Sequence, residues 1–139
     1  MSPSSAKRHI SESMEDYLEA ILRLTSGKRV ARARDIAARL GVKMPSVSGA
    51  LKSLVVRGLV NYRPYEAVTL TSAGVAVAKG VARKHQVLLG FLRDILGVNE
   101  RIAEADACRL EHSLSGDSMR KLGVFMAGRL GKKGMPWRN

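Results

Sequence analysis

The sequence predicts a mainly α protein in which a winged helix-turn-helix is followed by an α-helical domain. Three observations support this prediction: apolar residues recur at helical spacing along most of the chain, two short helical segments flank a tight glycine-containing turn, and two β-like runs follow directly. With 139 residues the chain can form one domain or two small ones. We expect the first domain to span residues 1–76 and the second to span residues 77–139.

The segment SESMEDYLEAILRLTSG predicts the first helix. Ser11 or Ser13 can cap it, because a serine hydroxyl accepts a hydrogen bond from the free N–H groups of a first turn. Acidic residues follow the cap, where the helix dipole favours them, and Gly27 ends the helix. Residues 1–10, which precede it, are expected to form a loose basic arm.

The segments RDIAARL and PSVSGALKSLVVRG predict two short helices separated by a turn that begins at Gly41. Pro45 opens the second helix at the position where a missing N–H costs least. Two short helices around such a turn are typical of a helix-turn-helix, whose second helix enters the major groove of DNA. The runs LVNYR and AVTLT flank the turn RPYEA, so they predict the β-hairpin that forms a wing.

Three further helices are expected to build the second domain. A long helix begins at a cap on Thr71 or Ser72 and extends through FLRDILGV, although its glycines disfavour it. The next helix covers NERIAEADACRLEHSLS, and the last covers GDSMRKLGVFMAGRLG. The final residues, KKGMPWRN, predict a short basic tail.

The balance of charge predicts a polyanionic partner. The chain carries 24 Lys and Arg against 12 Asp and Glu, a net charge of +12, and the excess is spread over both halves. Nucleic acid is the first candidate, and a basic protein without that role is the alternative. Aromatic residues make up only 4%, which argues against a platform that stacks single-stranded bases.

Three other features of the sequence bear on membrane association, secretion and the redox state of the compartment. No run of 18 apolar residues exists, so we expect no membrane association through a spanning helix. The N-terminal segment lacks the apolar stretch of a secretory signal. The single cysteine cannot form an internal disulfide, which fits a reducing cytoplasm.

The helix-turn-helix offers a set of side chains for double-stranded DNA. They are small, polar or basic and lie around the start of the second helix or flank the first: Arg34, Lys43, Pro45, Ser46, Ser48 and Lys52. None is a strong base reader at the helix start, so we expect phosphate contacts, apolar contacts with thymine methyl groups and some readout of DNA shape. The alternative is a pair of packed helices whose serines cap and face solvent.

Three groups of potential metal ligands come from three helices. Cys108, Glu111 and His112 follow the i, i+3, i+4 spacing of one helix face, Asp16 and Glu19 follow the i, i+3 spacing, and His85 lies mid-helix among apolar residues. Each has a simpler interpretation: a buried cysteine, a solvated Glu-His pair, an acidic first turn and an ordinary histidine. Carboxylates and imidazole suit Mn²⁺ and Fe²⁺, and a thiolate adds affinity for other divalent ions such as Zn²⁺ and Co²⁺.

These residues resemble those of the DtxR/MntR metalloregulators, a family of bacterial and archaeal transcription factors, from about Ser13 to about Gly128. SMEDYLEAI is similar to the family's first helix, RARDIAARLGVKMPSVSGALKSLVVRGLV to its helix-turn-helix, and YRPYEAVTLTSAG to its wing. RKHQVLLGFLRDILGV and ACRLEHSLS are similar to its metal-binding and dimerisation helices. The last motif is the most specific, because a Glu-His pair follows another ligand by three residues.

The resemblance implies a homodimeric repressor with Mn²⁺ or Fe²⁺ as corepressor, in the short form that lacks a third, SH3-like domain. Asp16 and Glu19 match the acidic pair of the manganese-responsive branch. His85, Glu111 and His112 match ligands shared across the family.

Other positions depart from either branch of that family. Cys108 matches a cysteine of the iron-responsive branch, so the predicted site is a hybrid of the two. Leu89 stands where the iron branch has a carboxylate ligand, and Glu104 stands near the position of a histidine ligand. Gly49 occupies a recognition-helix position often held by a polar base reader.

The sequence thus predicts a metal-responsive repressor that binds palindromic operator DNA as a homodimer. An ion ligated by both domains is expected to fix their orientation, and so the spacing of two recognition helices. A winged-helix protein that binds DNA without metal is the alternative. An enzyme is not expected, because no open catalytic position, general base or nucleophile with an oxyanion-stabilising motif is evident.

Overall fold

The computed structural model describes residues 10–130, with the side chain of Leu130 left out. All but the last residue of the predicted basic arm, and the whole basic tail KKGMPWRN, lie outside the described residues. The chain forms two compact units that divide between Lys79 and Gly80.

The first unit opens with helix α1, Glu12–Thr25. Its cap is Ser11, whose Oγ accepts a hydrogen bond of 3.2 Å from the N–H of Met14. A 3-10 turn, Ser26–Lys28, follows, and Gly27 adopts a left-handed φ of 68° within it. The buried apolar side chains of α1 are Tyr17, Leu18, Ala20 and Ile21.

The helix-turn-helix consists of α2, Ala33–Leu40, and α3, Met44–Val56. Gly41 ends α2 in the left-handed region at φ 65°, where a side chain would be strained. The two helices and α1 share one core with the strands that follow. Its fully buried members include Leu18, Ile21, Ile36, Val47, Leu51, Leu54 and Val68.

The wing is a two-stranded antiparallel sheet of β1, Val60–Asn61, and β2, Thr69–Leu70. The predicted five-residue runs were too long. Val68, predicted to extend the hairpin, pairs instead with Ala31 ahead of α2, with an N–H···O distance of 2.8 Å. Residues 62–67 therefore form a turn between the strands, in which the N–H of Glu66 donates a 3.0 Å hydrogen bond to the carbonyl of Arg63.

Helix α4, Ser72–Gly90, follows the wing, and its residues from Gly80 onward belong to the second unit. Thr71 caps it, since its Oγ accepts a 3.0 Å hydrogen bond from the N–H of Gly74. Gly74 is required there, because a Cβ would lie 2.0 Å from the carbonyl oxygen of Leu59. The prediction of one helix through to Val98 was wrong at its end, where Phe91–Ile95 form a π-type turn.

The second unit is completed by α5, Glu100–Leu110, and α6, Gly116–Leu130. These helices and the end of α4 enclose a core of aliphatic and small residues: Val87, Leu88, Leu89, Ala103, Ala107, Met119 and Met126. The described part of the chain is therefore mainly helical, with one small sheet. None of its helices is both long and apolar enough to cross a membrane.

Candidate functional site

A cluster of metal-ligating side chains lies in the second unit. His85 comes from α4, Glu104 and Cys108 come from α5, and Glu111 is the first residue after α5. The spacing of the last three places them on successive turns of one face. Ala103 and Ala107, which are fully buried beside them, belong to the core shared with α4 and allow a close approach.

His85 lies between two carboxylates. Its Nδ1 is 3.0 Å from Oε2 of Glu111, and its Nε2 is 2.6 Å from Oε2 of Glu104. The hydrogen bond to Glu111, supported by that to Glu104, raises the pKa of His85 to about 9, although burial opposes the charged form. The imidazole is therefore protonated at neutral pH, and a metal ion must displace that proton to bind.

Glu111 and His112 are buried rather than solvated, which rules out the simpler interpretation of this pair. The side chain of Glu111 is fully buried, that of His112 is 5% exposed, and Oε1 of Glu111 lies 3.4 Å from Nε2 of His112. The Glu111 carboxylate thus has an imidazole at each oxygen. A buried carboxylate needs such partners, since burying an unpaired charge is very costly.

Cys108 is exposed and forms no disulfide, so the interpretation as a buried core cysteine was wrong. One ligand atom from each of His85, Cys108 and Glu111 lies within 4.8 Å of the others. Ligands of a single transition-metal ion lie roughly 3–4 Å apart, so small side-chain rotations would bring the three into range. A nitrogen, a sulfur and a carboxylate oxygen fit a divalent first-row metal ion.

The other predicted ligands, Asp16 and Glu19, belong to α1 in the first unit. The Glu19 carboxylate is mostly buried, and its Oε2 lies 3.2 Å from a guanidinium nitrogen of Arg23. Asp16 is half-buried on the same helix. The role of both as ligands stays a prediction.

The predicted DNA contacts lie on the surface of the first unit. Five of the six side chains are exposed and Ser48 is half-buried: Arg34, Lys43, Pro45, Ser46, Ser48 and Lys52. Pro45 stands in the first turn of α3, and no acidic residue accompanies it there. The start of α3 therefore presents the positive end of a helix dipole and basic side chains without a competing negative charge.

A cavity of about 640 Å³ lies between α3 and the turn of the wing. Its lining includes three predicted DNA contacts, Arg34, Ser48 and Lys52, and residues that sequence reasoning did not single out, among them Arg32, Tyr62 and Tyr65. The only sequence signal for the two tyrosines was the turn RPYEA, which predicted a hairpin but no contact.

Two family models match this chain and together cover most of it. Residues 9–68 match the iron-dependent repressor N-terminal DNA-binding domain, and residues 71–128 match the iron-dependent repressor metal-binding and dimerisation domain. The chain belongs to the iron-dependent repressor family. The resemblance and the fold class predicted from the sequence are thereby confirmed.

Several curated transcriptional regulators are similar along most of this chain. A helix-turn-helix transcriptional regulator of Methanocaldococcus jannaschii is 39% identical over 118 residues, which cover 84% of this chain and 94% of that protein. The transcriptional regulator MntR of Escherichia coli O6:H1 is 38% identical over 117 residues, covering 84% and 75%. MntR of Bacillus subtilis is 38% identical over 111 residues, covering 80% and 78%.

Solved structures of manganese regulators share the fold. A manganese-dependent transcriptional repressor in complex with manganese superposes with a TM-score of 0.74 at 29% identity, over 85% of this chain and 52% of that one. The manganese regulator SloR gives a TM-score of 0.73 at 29% identity, over 81% and 53%. The matched region of this chain spans about half the length of those solved chains.

Proposed function

We propose that this member of the iron-dependent repressor family is a transcriptional repressor that binds operator DNA as a homodimer and responds to Mn²⁺ or Fe²⁺. The observation that carries the proposal is that the two family models match two different units of the structure. The DNA-binding model matches residues of the unit with the basic helix-turn-helix, and the metal-binding model covers the unit with the His85 cluster. A winged-helix protein that acts without metal is not supported.

We assign His85, Cys108, Glu111 and His112 as ligands in the second unit, with Asp16 and Glu19 as predicted ligands in the first. His85 would hold an ion through a deprotonated ring nitrogen, and Glu111 through the carboxylate that now lies beside the imidazoles of His85 and His112. A bound divalent ion supplies the positive charge that holds these carboxylates together. Oε2 of Glu104 lies 2.6 Å from Nε2 of His85. Glu104 would therefore orient the imidazole by accepting a hydrogen bond from the ring nitrogen that does not hold the ion.

The donor set supports Mn²⁺ or Fe²⁺ as the ion. Carboxylate and imidazole ligands predominate among the six predicted residues and suit both ions. Two of the relatives are named manganese regulators, and the matching family models are those of iron-dependent repressors. Cys108 is the donor that also suits softer divalent ions, so it bears most on the choice between metals.

DNA binding rests on the exposed start of α3 and its neighbours. Arg34, Lys43 and Lys52 provide phosphate contacts, and Pro45, Ser46 and Ser48 lie where a recognition helix meets base edges. Two copies bind the two halves of a palindromic operator. Such a regulator acts in the cytoplasm, where bacterial or archaeal operator DNA lies, and it has no catalytic role, as befits a family of transcriptional regulators.

The test is the variant Glu111→Gln, which keeps the shape of the side chain but removes its charge. We expect Mn²⁺ and Fe²⁺ affinity in calorimetry to fall by at least about tenfold, because a neutral amide is a poor ligand for a hard cation. The metal-dependent gain in operator binding should fall with it, while salt-sensitive binding without metal persists.

Glu100→Gln is the matched control, since Glu100 lies on the same α5 but its side chain is 70% exposed and contacts Arg93. It should bind metal and operator like the wild type. A Glu111→Gln protein that keeps the wild-type response to both metals would show that the ligands are misassigned.

A further inference from the structure

An ion pair in α1 places a positive charge on one of the predicted metal ligands. Oε2 of Glu19 lies 3.2 Å from Nη2 of Arg23, one turn further along the helix. We propose that Arg23 is an internal counter-ion that competes with the metal ion for Glu19, and so raises the metal concentration at which the protein responds. This inference rests on the proposed function, because it takes Glu19 as a ligand.

Glu19 is a buried carboxylate, which is rare in this chain. Only 9% of the residue is exposed, and the other polar or charged residues between 10 and 130 that are equally buried are His85 and Glu111. Those two belong to the cluster of ligands in the second unit. A buried carboxylate is costly unless a cation or several hydrogen bonds compensate for the lost water. The position of Glu19 therefore favours a strong cationic partner.

Arg23 is a weak partner for so buried a carboxylate. Its side chain is 39% exposed, and a single hydrogen bond joins it to Oε2 of Glu19. No other residue between 10 and 130 forms an ion pair or a hydrogen bond with the Glu19 carboxylate. Ion pairs with an exposed partner are worth at most about fivefold in an equilibrium constant. The pair can therefore hold Glu19 in the metal-free chain and still yield to a divalent ion.

Two effects of the Arg23 charge oppose metal binding. Glu19 must release the guanidinium before Oε2 can ligate an ion, and a guanidinium that stays beside the carboxylate repels a divalent cation. Dissolved salt screens the ion pair and the repulsion alike. Removal of the charge should therefore strengthen metal binding, and most of all at low salt.

The variant Arg23→Gln tests the competition directly, because it removes the charge and keeps a polar side chain that favours a helix. We expect Mn²⁺ affinity, measured by competition against a fluorescent chelator, to rise roughly three- to tenfold from the combined loss of the ion pair and of the repulsion. The gain should shrink between about 0.05 M and about 0.5 M salt, since screening weakens the effect of Arg23 in the wild type.

Thermal unfolding provides a readout that a purely structural role would not give. Without metal, Arg23→Gln should unfold at a slightly lower temperature than the wild type, because buried Glu19 loses its cation. Added Mn²⁺ should stabilise the variant more than the wild type, since stabilisation by a ligand grows with its affinity. A purely structural role would lower the thermal midpoint equally with and without Mn²⁺.

Three further variants serve as controls. Arg23→Lys keeps the positive charge and should gain less Mn²⁺ affinity than Arg23→Gln. Arg120→Gln removes the same charge from an exposed ion pair on α6, where the partner, Asp117, is not a predicted ligand, and should leave Mn²⁺ affinity unchanged. In a Glu19→Gln background, Arg23→Gln should give a smaller gain than in the wild type, because the carboxylate for which it competes is absent.

Two results would overturn the inference. Equal or weaker Mn²⁺ affinity in Arg23→Gln would mean that Arg23 has no influence on the metal or orients Glu19 for binding. Unchanged affinity in Glu19→Gln would mean that Glu19 is not a ligand. Neither result contradicts the proposed function, which fails if the wild-type protein binds neither Mn²⁺ nor Fe²⁺ or gains no operator affinity from them.

Discussion

Cys108 distinguishes the predicted ligand set of this chain at the scale of a single residue. It is exposed, whereas Glu111 and His112, the next predicted ligands along the chain, have buried side chains. A thiolate at this position binds soft and borderline divalent ions better than a carboxylate does. The carboxylates of the predicted set thus favour hard ions such as Mn²⁺, whereas the thiolate of Cys108 favours softer ions such as Zn²⁺.

Replacing Cys108 by glutamate should therefore move the preference toward Mn²⁺. We expect the ratio of Mn²⁺ to Zn²⁺ affinity to rise by at least about tenfold, since changes even outside the ligand shell cause losses of that size. Competition against a fluorescent chelator under anaerobic conditions measures both affinities. Cys108→Ser, which removes the thiolate without adding a carboxylate, is the control and should weaken Zn²⁺ binding without favouring Mn²⁺.

The same ratio of affinities in Cys108→Glu as in the wild type would show that the thiol is not a ligand. The spacing of Cys108, Glu111 and His112 sufficed to predict these candidates from the sequence. The burial of Glu111 and His112 and the exposure of Cys108 did not follow from this spacing, because they depend on how α5 packs against α4. The hydrogen bond from His85 to Glu104 depends on the same packing, and the sequence offered Glu104 only as a residue near a ligand position.

At the scale of elements, local signals predicted the helices well and the wing poorly. The helix ends at Ser11, Gly41 and Thr71 use caps and a left-handed glycine, which act within one turn of sequence. The wing strands are short because Val68 pairs with the distant Ala31, which no local pattern encodes. The left-handed φ of 67° at Tyr65, in the turn between the strands, likewise becomes visible only in three dimensions.

Two of the glycines of α4, Gly74 and Gly80, provide a matched test of packing against helix propensity. A Cβ at Gly74 would lie 2.0 Å from a backbone oxygen of Leu59, whereas a Cβ at Gly80 meets nothing within 4 Å. Gly74→Ala should lower the free energy of unfolding by about 3 kcal/mol or more, since the junction of wing and helix must open. Gly80→Ala should raise it by up to about 1 kcal/mol, because alanine favours a helix.

Urea unfolding followed by circular dichroism measures both changes. The opposite signs are the essential outcome, because both substitutions add the same methyl group to the same helix. Equal effects at the two sites would mean that the close approach of α4 to Leu59 is absent in solution.

At the scale of the whole molecule, the net charge of +12 sets a background of non-specific DNA binding. A homodimer doubles that charge, so metal-free protein should hold any duplex at low salt. Regulation then requires that the metal strengthen binding to the operator above this non-specific background. Because binding free energies are linked, the total free energy by which metal strengthens operator binding equals that by which the operator strengthens metal binding.

The final prediction is therefore an equality. If Mn²⁺ tightens operator binding by a factor of about 5–150, the usual range of such couplings, operator DNA must tighten Mn²⁺ binding by factors whose product over all ions of one dimer is the same, at the same salt concentration. Fluorescence anisotropy gives operator affinity with and without metal, and chelator competition gives metal affinity with and without operator. Glu111→Gln should bring both factors close to one, because the ion then no longer discriminates the DNA-competent state. A product of metal factors that differs from the operator factor in the wild type would mean that the metal acts elsewhere, for example on DNA phosphates, since a coupling through this protein cannot differ with the order of binding.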